Sequence, residues 1–339
     1  MNSRAVALSV LFLAGTLAGC AGPTPPPPPP NGNGGDEDPV AHIPRWNLGD
    51  AWTYTAQTSE FPASTSTMVA YDDDGNHYWV GVTDRTQALV HALFNVNPQL
   101  GRIQKGNLAI YEKGEPRAMY RFPIRDGDTW DTDLFLSLHK GTLRATATYR
   151  EDIPTRMGPR PGFEIVATNN AGFRLAYDFI PQIKWFSKLQ VTDGRGQVLH
   201  DLQVSEHRTN VRETAYFVRG DDLFQETFGP PGGLAQTYSR TVLVDGASSK
   251  ERKPYDVLAF NVRVQVGSSA NERADVRISD PAGRAVYERT FLQSQTDEFR
   301  FETIDQPRAG NWRVEVTLTG TTTATVMLAG AWEYYGTAP

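Results

Sequence analysis

Residues 67–82 read Thr67-Met-Val-Ala-Tyr-Asp-Asp-Asp-Gly-Asn-His-Tyr-Trp-Val-Gly-Val82 and decide the fold class. The two outer runs are rich in β-branched and aromatic residues, which favour strands. Asp74-Gly75 between them is a strong hairpin signal, because a tight turn needs positive φ at this point. The stretch therefore predicts two antiparallel strands joined by a short turn.

Similar runs, bounded by turn residues, recur on both sides of this hairpin. Asp193-Gly-Arg-Gly196 supplies another turn of the same kind. No long stretch carries apolar residues at helical spacing, so the sequence predicts an all-β fold of consecutive hairpins. The other strands predicted in this part of the chain are Ala51–Tyr54, Leu108–Tyr111, Thr129–Leu138, Thr142–Tyr149, Phe163–Ala167, Phe173–Phe179, Lys184–Val191 and Val198–Val204.

A second body is predicted after the breaker cluster Phe228-Gly-Pro-Pro-Gly-Gly233. Asp280-Pro-Ala-Gly283 within it is a turn in which proline presets φ and glycine supplies the reversal. Short strands at this spacing predict a jelly-roll-like β-sandwich. The seven predicted strands are Tyr238–Val244, Val257–Val266, Ala274–Ile278, Ala285–Thr290, Glu298–Phe301, Trp312–Leu318 and Ala324–Tyr335.

The amino terminus has the layout of an export signal. Arg4 precedes an apolar run that ends in Leu17-Ala-Gly-Cys20, and the run is too short for a comfortable membrane-spanning helix. The small residues before Cys20 resemble the lipobox of bacterial lipoproteins, which implies cleavage there and a diacylglyceryl group on the Cys20 thiol. An ordinary secretory signal with an incidental cysteine is the alternative. Ala21, by the same resemblance, favours the outer membrane if the cell is Gram-negative.

Cys20 is the only cysteine in the 339 residues, so no intramolecular disulfide and no thiolate metal cluster can form. A proline run and a Gly/Asn/acidic stretch follow it and predict an extended, solvated tether. The predicted organisation is a signal peptide at 1–19, the lipidated cysteine and disordered tether at 20–43, a half-barrel-like domain at 44–208, a connecting segment at 209–235 and the sandwich at 236–339.

Both bodies resemble known families. Val276-Arg-Ile-Ser-Asp-Pro-Ala-Gly283 with Ala309-Gly-Asn-Trp-Arg-Val-Glu-Val316 is similar to the pre-peptidase C-terminal sandwich, and alternation places Trp312, Val314 and Val316 on one face. In the first body, Trp46-Asn-Leu-Gly-Asp50, Phe122–Trp130 and Tyr177–Lys188 are similar to secreted lipoproteins with a curved antiparallel half-barrel. That fold is related in shape to the LolA and LolB carriers, whose concave face binds acyl chains.

Candidate chemistry is sparse. Asp72-Asp73-Asp74 has the oxygen ligands of a calcium loop but lacks its glutamate and its glycine position, so a solvated hairpin tip is the better interpretation. Ser137-Leu-His-Lys140 matches Ser-x-x-Lys only formally, because positions i and i+3 of a strand face opposite sides. No paired metal-ligand spacing occurs among the histidines, His42, His77, His91, His139, His200 and His207. No cofactor or metal is predicted.

Five tryptophans fall in the first body. Large amphipathic rings fill the core of a curved sheet, and this is the interpretation we favour. The alternative is that some of them line a groove for a sugar, a peptide or an acyl chain. The five residues are Trp46, Trp52, Trp79, Trp130 and Trp185.

The net charge of −6, with acids and bases interspersed, gives no basic stripe and disfavours nucleic acid. The leading hypothesis is a non-enzymatic, lipid-anchored protein of the cell envelope that binds or scaffolds, with the membrane and an envelope protein, glycan or lipid as partners. The alternatives are a carrier of hydrophobic ligands or lipoproteins on the concave face of the first domain, and an envelope polysaccharide hydrolase with two carboxylates in a cleft. The ligand and the oligomeric state are not predicted.

Overall fold

The computed structural model of the protein describes residues 39–59, 61–94, 100–112, 114–136, 138–139, 141–249, 251–292 and 298–339. The predicted signal peptide, Cys20 and the tether as far as residue 38 lie outside these residues. Val40–Ala41, at the end of the predicted tether, pair with Ile124–Arg125, so regular structure begins before residue 44.

The described chain is built almost entirely from strands, which confirms the all-β fold class. The strands before residue 140 are β1 (Val40–Ala41), β2 (Ala51–Thr58), β3 (Ser64–Asp73), β4 (His77–Val82), β5 (Gly101–Gln104), β6 (Ile110–Glu112), β7 (Glu115–Arg117), β8 (Ile124–Arg125) and β9 (Thr129–Thr132). The strands of the middle part are β10 (Leu143–Ile153), β11 (Arg160–Thr168), β12 (Arg174–Phe179), β13 (Lys188–Thr192), β14 (Val198–Arg208) and β15 (Thr214–Phe228). The last strands are β16 (Gly233–Val244), β17 (Val257–Gln265), β18 (Arg273–Ser279), β19 (Ala285–Leu292), β20 (Glu298–Asp305), β21 (Gly310–Gly320) and β22 (Thr323–Thr337). The helices are α1 (Arg85–Phe94) and two 3-10 turns, Pro181–Ile183 and Gly246–Ser248.

The hairpin predicted from residues 67–82 is confirmed as β3 and β4. The two strands pair antiparallel from Met68 opposite Val82 to Asp73 opposite Tyr78. Gly75 at the tip has φ of 90°, a conformation that glycine adopts without strain. The Asp193–Gly196 turn likewise joins β13 to β14.

The larger sheet is antiparallel and has the strand order β20-β17-β22-β15-β4-β3-β2-β14-β13-β12-β11-β10-β9, with β5 beside β4. β15 connects its two parts, because it pairs with β22 along its length and with β4 at Tyr216. This strand lies inside the segment 209–235 that the sequence assigned to a connection. The described residues belong to one compact unit, and the domain boundaries remain predictions.

The first hydrophobic cluster occupies the half-barrel part of this sheet. Three of its tryptophans lie close to one another there: the Trp46 ring is 4.6 Å from Trp52 and 5.0 Å from Trp185, centroid to centroid. Tyr120 and Phe179 continue the cluster, 5.1 Å apart. The inner face of the first body is therefore packed with aromatic rings.

The second cluster lies in the sandwich. One layer is β20-β17-β22-β15 from the larger sheet, and the other is the separate sheet β16-β21-β18-β19. Trp312, Val314 and Val316 are buried on one face of β21, as the alternation predicted. The turn after Asp280 is also confirmed, since the Asp280 side chain accepts hydrogen bonds from the Ala282 and Arg284 amides.

Helix α1 was not predicted. Its amino terminus is capped by Asp84, whose Oδ1 accepts hydrogen bonds from the amides of Thr86, at 2.7 Å, and Gln87, at 3.3 Å. Ala88 and Leu89 are buried, and the helix packs against β4, β15, β17 and β22. α1 thus contacts both parts of the larger sheet.

A candidate binding cleft

Lipidation of Cys20 falls outside the described residues. Where the chain is described, none of its helices has both the length and the apolar character needed to cross a membrane. Ser137 and Lys140 of the formal Ser-x-x-Lys match also lie outside the described residues.

The tryptophans of the first body belong mostly to its core. Trp46, Trp52, Trp130 and Trp185 are buried, and Trp79 is partly exposed. The indole N–H groups of Trp46 and Trp52 donate to the carbonyls of Lys184 and Ile183, at 3.0 and 2.8 Å. The burial of four of the five rings supports the core interpretation, and only Trp79 is exposed enough to line a groove.

The Asp72–Asp74 carboxylates stabilise their own hairpin. Asp73 Oδ1 accepts a hydrogen bond from the Gly75 amide, and its other oxygen pairs with Lys105. Asp74 accepts from the amides of Asn76 and His77 and from His77 Nδ1. Although burial opposes the shift, these hydrogen bonds lower the pKa of Asp74. The loop therefore has the hydrogen bonds of a hairpin tip.

The histidines are dispersed through the described chain. His77 Nε2 is 2.8 Å from the Tyr111 hydroxyl, and His139 Nε2 donates to the Leu134 carbonyl. Burial lowers the pKa of His200 to about 4. Within the described residues, no three His, Cys, Asp or Glu side chains are grouped as metal ligands would be.

A cleft of about 470 Å³ opens at one edge of the sandwich. One wall is formed by β15 and the other by the end of β16 and the turn that follows. The lining residues are Asp221, Asp222, Leu223, Leu243, Asp245, Ser248, Ser249 and Tyr255. Its volume is in the range of pockets that bind small ligands, about 300–1,000 Å³.

A β-bulge shapes the first wall. Asp222 pairs with Ala329 and Phe224 with Leu328, so Leu223 is an extra residue in β15. A bulge of this kind bends a strand and redirects its side chains, and bulges are common beside functional sites. Here the bulge places Asp221, Asp222 and Leu223 in the lining of one cleft.

Tyr255 is a buried member of the lining and is fixed in place. Its hydroxyl donates to Asp221 Oδ2 at 3.2 Å, and its ring lies 4.8 Å from that of Trp332. The ring also lies against the backbone of Gly330, where a Cβ would be only 2.5 Å from the ring carbon Cζ. Burial, followed by the neighbouring Asp221 carboxylate, raises the pKa of Tyr255, so its hydroxyl stays protonated.

The second wall is a capped 3-10 turn. Asp245 Oδ1 accepts a hydrogen bond from the Ala247 amide at 3.1 Å. The hydroxyl groups of Ser248 and Ser249 donate to the carbonyls of Asp245 and Gly246, at 3.0 and 2.5 Å. Both serine protons are thus committed to holding the shape of the turn.

An ion pair joins β15 to β16 farther along this edge. Arg240 Nε and Nη2 donate to the two carboxylate oxygens of Glu226, at 2.7 and 2.5 Å. Phe228 and Tyr238 pack beside it, with ring centroids 5.3 Å apart. The two layers are therefore closed against each other at this end of the edge.

The cleft is lined by carboxylates that have no ion-pair partner among the described residues. Neighbouring cations are paired with other acids, Arg219 with Glu251 and Lys253 with Asp256. In the part of the chain that the structure describes, no cation forms an ion pair with the cleft carboxylates Asp221, Asp222 and Asp245. The arrangement offers fixed acceptors for a cation or for hydrogen-bond donors, beside the apolar side chains of Leu223 and Leu243.

Sequence reasoning missed this cleft. Its residues come from three separate segments, and the first of them was assigned to a connection between domains. The available signal was the adjacent pair Asp221-Asp222 within a strand-like run. Regular alternation would place one of the two charged side chains on the buried face, so the pair indicates an irregularity in the strand.

No protein family and no curated protein matches the chain. Solved structures give remote likenesses. The Pseudomonas aeruginosa MucA/MucB complex is 12% identical with a TM-score of 0.24, covering 80% of this chain and 92% of that one. TmCBM61 in complex with beta-1,4-galactotriose is 12% identical with a TM-score of 0.20, covering 35% and 87%. A Bacillus subtilis glycoside hydrolase family 43 arabinoxylan arabinofuranohydrolase is 11% identical with a TM-score of 0.17, covering 80% and 64%. Scores this low do not establish a shared fold.

Proposed function

We propose that the protein is a lipoprotein of the cell envelope, anchored through Cys20, that binds a partner at the cleft and does not catalyse a reaction. The lipobox-like Leu17-Ala-Gly-Cys20 supports the anchor. Two acyl chains or more would hold the amino terminus firmly, since each buried CH₂ contributes about 0.8 kcal/mol. We also propose that the first body is related to LolA/LolB-type half-barrels and the second to pre-peptidase C-terminal sandwiches.

The state of the hydroxyl groups in the cleft carries the proposal. The protons of Ser248, Ser249 and Tyr255 are all donated to carbonyl or carboxylate oxygens. A nucleophilic hydroxyl needs a general base to take its proton, and the raised pKa of Tyr255 opposes its ionisation. A cleft lined by carboxylate acceptors, with its hydroxyl groups engaged in internal hydrogen bonds, suits recognition of a partner. The buried tryptophans favour this site over a carrier function in the first body.

In-cell photo-crosslinking tests the proposal. A photoreactive amino acid is introduced at Leu243, which lines the cleft and is 58% exposed. The matched control is Leu292, 51% exposed on β19. We expect a discrete adduct from Leu243, none from Leu292, and loss of the adduct with Cys20→Ser, which should leave the protein unprocessed or soluble. An anchored protein that gives no adduct from Leu243 would contradict binding at the cleft.

One observation favours a second candidate. Asp221, Asp222 and Asp245 line the same cleft, and paired carboxylates are the groups that hydrolyse glycosidic bonds. The purified full chain is incubated with cell-wall and exported polysaccharides, and the release of reducing ends is measured. Release that Asp222→Asn abolishes would establish the hydrolase and overturn the non-catalytic function.

A further inference from the structure

Within the described parts of the chain, no strand pairs with the edge of β15 that lies next to the cleft. β15 pairs with β22 on one side, and on the other it pairs with β4 at Tyr216 alone. Among the described residues, no strand continues that second side from Val218 to Phe228. An open edge presents backbone N–H and C=O groups that can pair with another extended chain.

The charges on this edge restrict what can pair with it. Asp221, Asp222 and Asp245 line the cleft, and these carboxylates have no cationic partner in the described chain. A second copy of β15 would bring the same carboxylates together, which is unfavourable. The predicted tether of this chain is disfavoured by the same reasoning, because its charged residues are the acids Asp36-Glu37-Asp38.

A partner segment with positive charge would be attracted to these carboxylates. A lysine or arginine places its charge among carboxylates while its alkyl stem lies along apolar surface. The cleft offers both features, with the carboxylates beside Leu223 and the exposed Leu243. The ion pair of Arg240 with Glu226 limits the open region to the part of the edge before Glu226.

We propose that the β15 edge between Val218 and Leu223 binds an extended, basic segment of a partner protein, which adds a strand to the sheet and inserts a lysine or arginine side chain into the cleft. This inference rests on the proposed binding function and names the class of partner. Backbone pairing supplies affinity in such complexes, and the side-chain pocket supplies specificity.

Fluorescence anisotropy tests it on the full chain in detergent micelles. The probe is a labelled peptide of alternating lysine and valine. A second peptide has glutamate in place of lysine, and a third keeps the lysines but has N-methylated backbone amides, which cannot donate to a strand. We expect the first peptide to bind, the glutamate peptide to show no binding, and the methylated peptide to bind about tenfold more weakly.

The matched variants change the charge equally. Asp221→Asn, Asp222→Asn and Asp245→Asn together remove three charges, and asparagine keeps the acceptors for Tyr255 and for the Ala247 amide. The triple variant should bind the lysine peptide about tenfold more weakly. The control combines Glu151→Gln, Glu288→Gln and Glu302→Gln, at exposed positions on β10, β19 and β20, and should bind as the parent does.

Three results would overturn the inference: no binding of the lysine peptide, equal binding by the two triple variants, or equal binding of the methylated and unmethylated peptides. An adduct from Leu243 in cells combined with any of these would leave the binding function standing and remove only the partner class. Loss of the adduct as well would remove both.

Discussion

Arg85, in the first turn of α1, donates two hydrogen bonds to Glu333 of β22, from Nε to Oε1 at 2.7 Å and from Nη2 to Oε2 at 2.8 Å. Arg85 Nη2 also reaches Asp305 Oδ1 of β20 at 2.6 Å. α1 directly follows β4, a strand of the first body, whereas β20 and β22 belong to the sandwich. One guanidinium therefore links the two parts of the fold.

This link should be worth more than an ordinary surface pair. The Glu333 side chain is only 16% exposed, and a bidentate charge-assisted pair that is partly shielded contributes about 1–3 kcal/mol. A double-mutant cycle with Arg85→Met and Glu333→Gln, measured by urea unfolding, should give a coupling energy in that range. The pair Arg144 and Asp131, 59% and 66% exposed, serves as control and should couple by less than about 1 kcal/mol. Equal coupling in the two cycles would show that Arg85 is an ordinary surface residue.

Gly330→Ala should destabilise the protein and disturb the cleft. The new Cβ would lie 2.5 Å from Cζ of Tyr255, so the ring must move away from β22. Overpacking of this kind costs about 1–3 kcal/mol. The control is Gly106→Ala, because no atom lies within 4 Å of a Cβ built at Gly106. If thermal unfolding gives the two variants the same midpoint, Tyr255 is not held against Gly330 as described.

Lys184→Met should be strongly destabilising. Asp50 is fully buried, and its Oδ2 accepts a hydrogen bond from Lys184 Nζ at 2.7 Å and another from the Asn47 amide at 2.8 Å. Removing one partner of a buried ion pair leaves an uncompensated charge and costs about 3–5 kcal/mol. Adding Asp50→Asn should recover a large part of this loss in chemical unfolding. A double variant as unstable as Lys184→Met alone would mean that the charge of Asp50 is not the cause.

Two buried groups should give opposite responses to acid. Burial lowers the pKa of His200 to about 4 from the ordinary 6.5, so the unfolded chain binds the proton more readily and acidification from 6.5 towards 4 removes stability. Burial raises the pKa of Asp178 to about 6 from 3.8, although Ser187 and Lys188 donate hydrogen bonds to it. The folded chain then binds the proton more readily, and acidification through 6 adds stability. Each effect amounts to about 3 kcal/mol.

The variants separate these effects in urea unfolding between pH 7 and pH 4.5. Relative to the parent, Asp178→Asn should lose stability on acidification, and His200→Leu should gain it. Asparagine at 178 keeps an acceptor for the Ser187 amide, which limits structural change. Parallel profiles for the parent and both variants would contradict the assignments.

Local patterns predicted the fold where neighbouring residues determine the structure. The β3–β4 hairpin and the buried face of β21 followed from turn chemistry and alternation. The predicted strand Thr129–Leu138 ends instead at Thr132, because the Glu112 carboxylate binds the amides of Phe135 and Leu136 and curls the chain. Glu112 is distant in sequence, so no local pattern shows this contact. Asp84 before α1 was a usable cap signal, but the helix has only ten residues.

The cleft could not be predicted in the same way. A bulge at Leu223 is an irregularity of pairing, and the pairing partner lies on β22, more than 100 residues later in the chain. This part was assigned to a connection because the breaker cluster Phe228-Gly-Pro-Pro-Gly-Gly233 lies within it. Only the strand pairing of the described chain shows that β15 has an unpaired side, from Val218 to Phe228, with a cleft beside it.

Hydrogen–deuterium exchange is the most direct test that a partner occupies this edge. The full-length protein is measured in membranes isolated from its own cells and again after purification in detergent. Occupation of the cleft predicts slower exchange at residues 218–224 and 243–249 in the membranes than in detergent, with β20 unchanged as the control edge. Identical exchange of both segments in the two samples would contradict it.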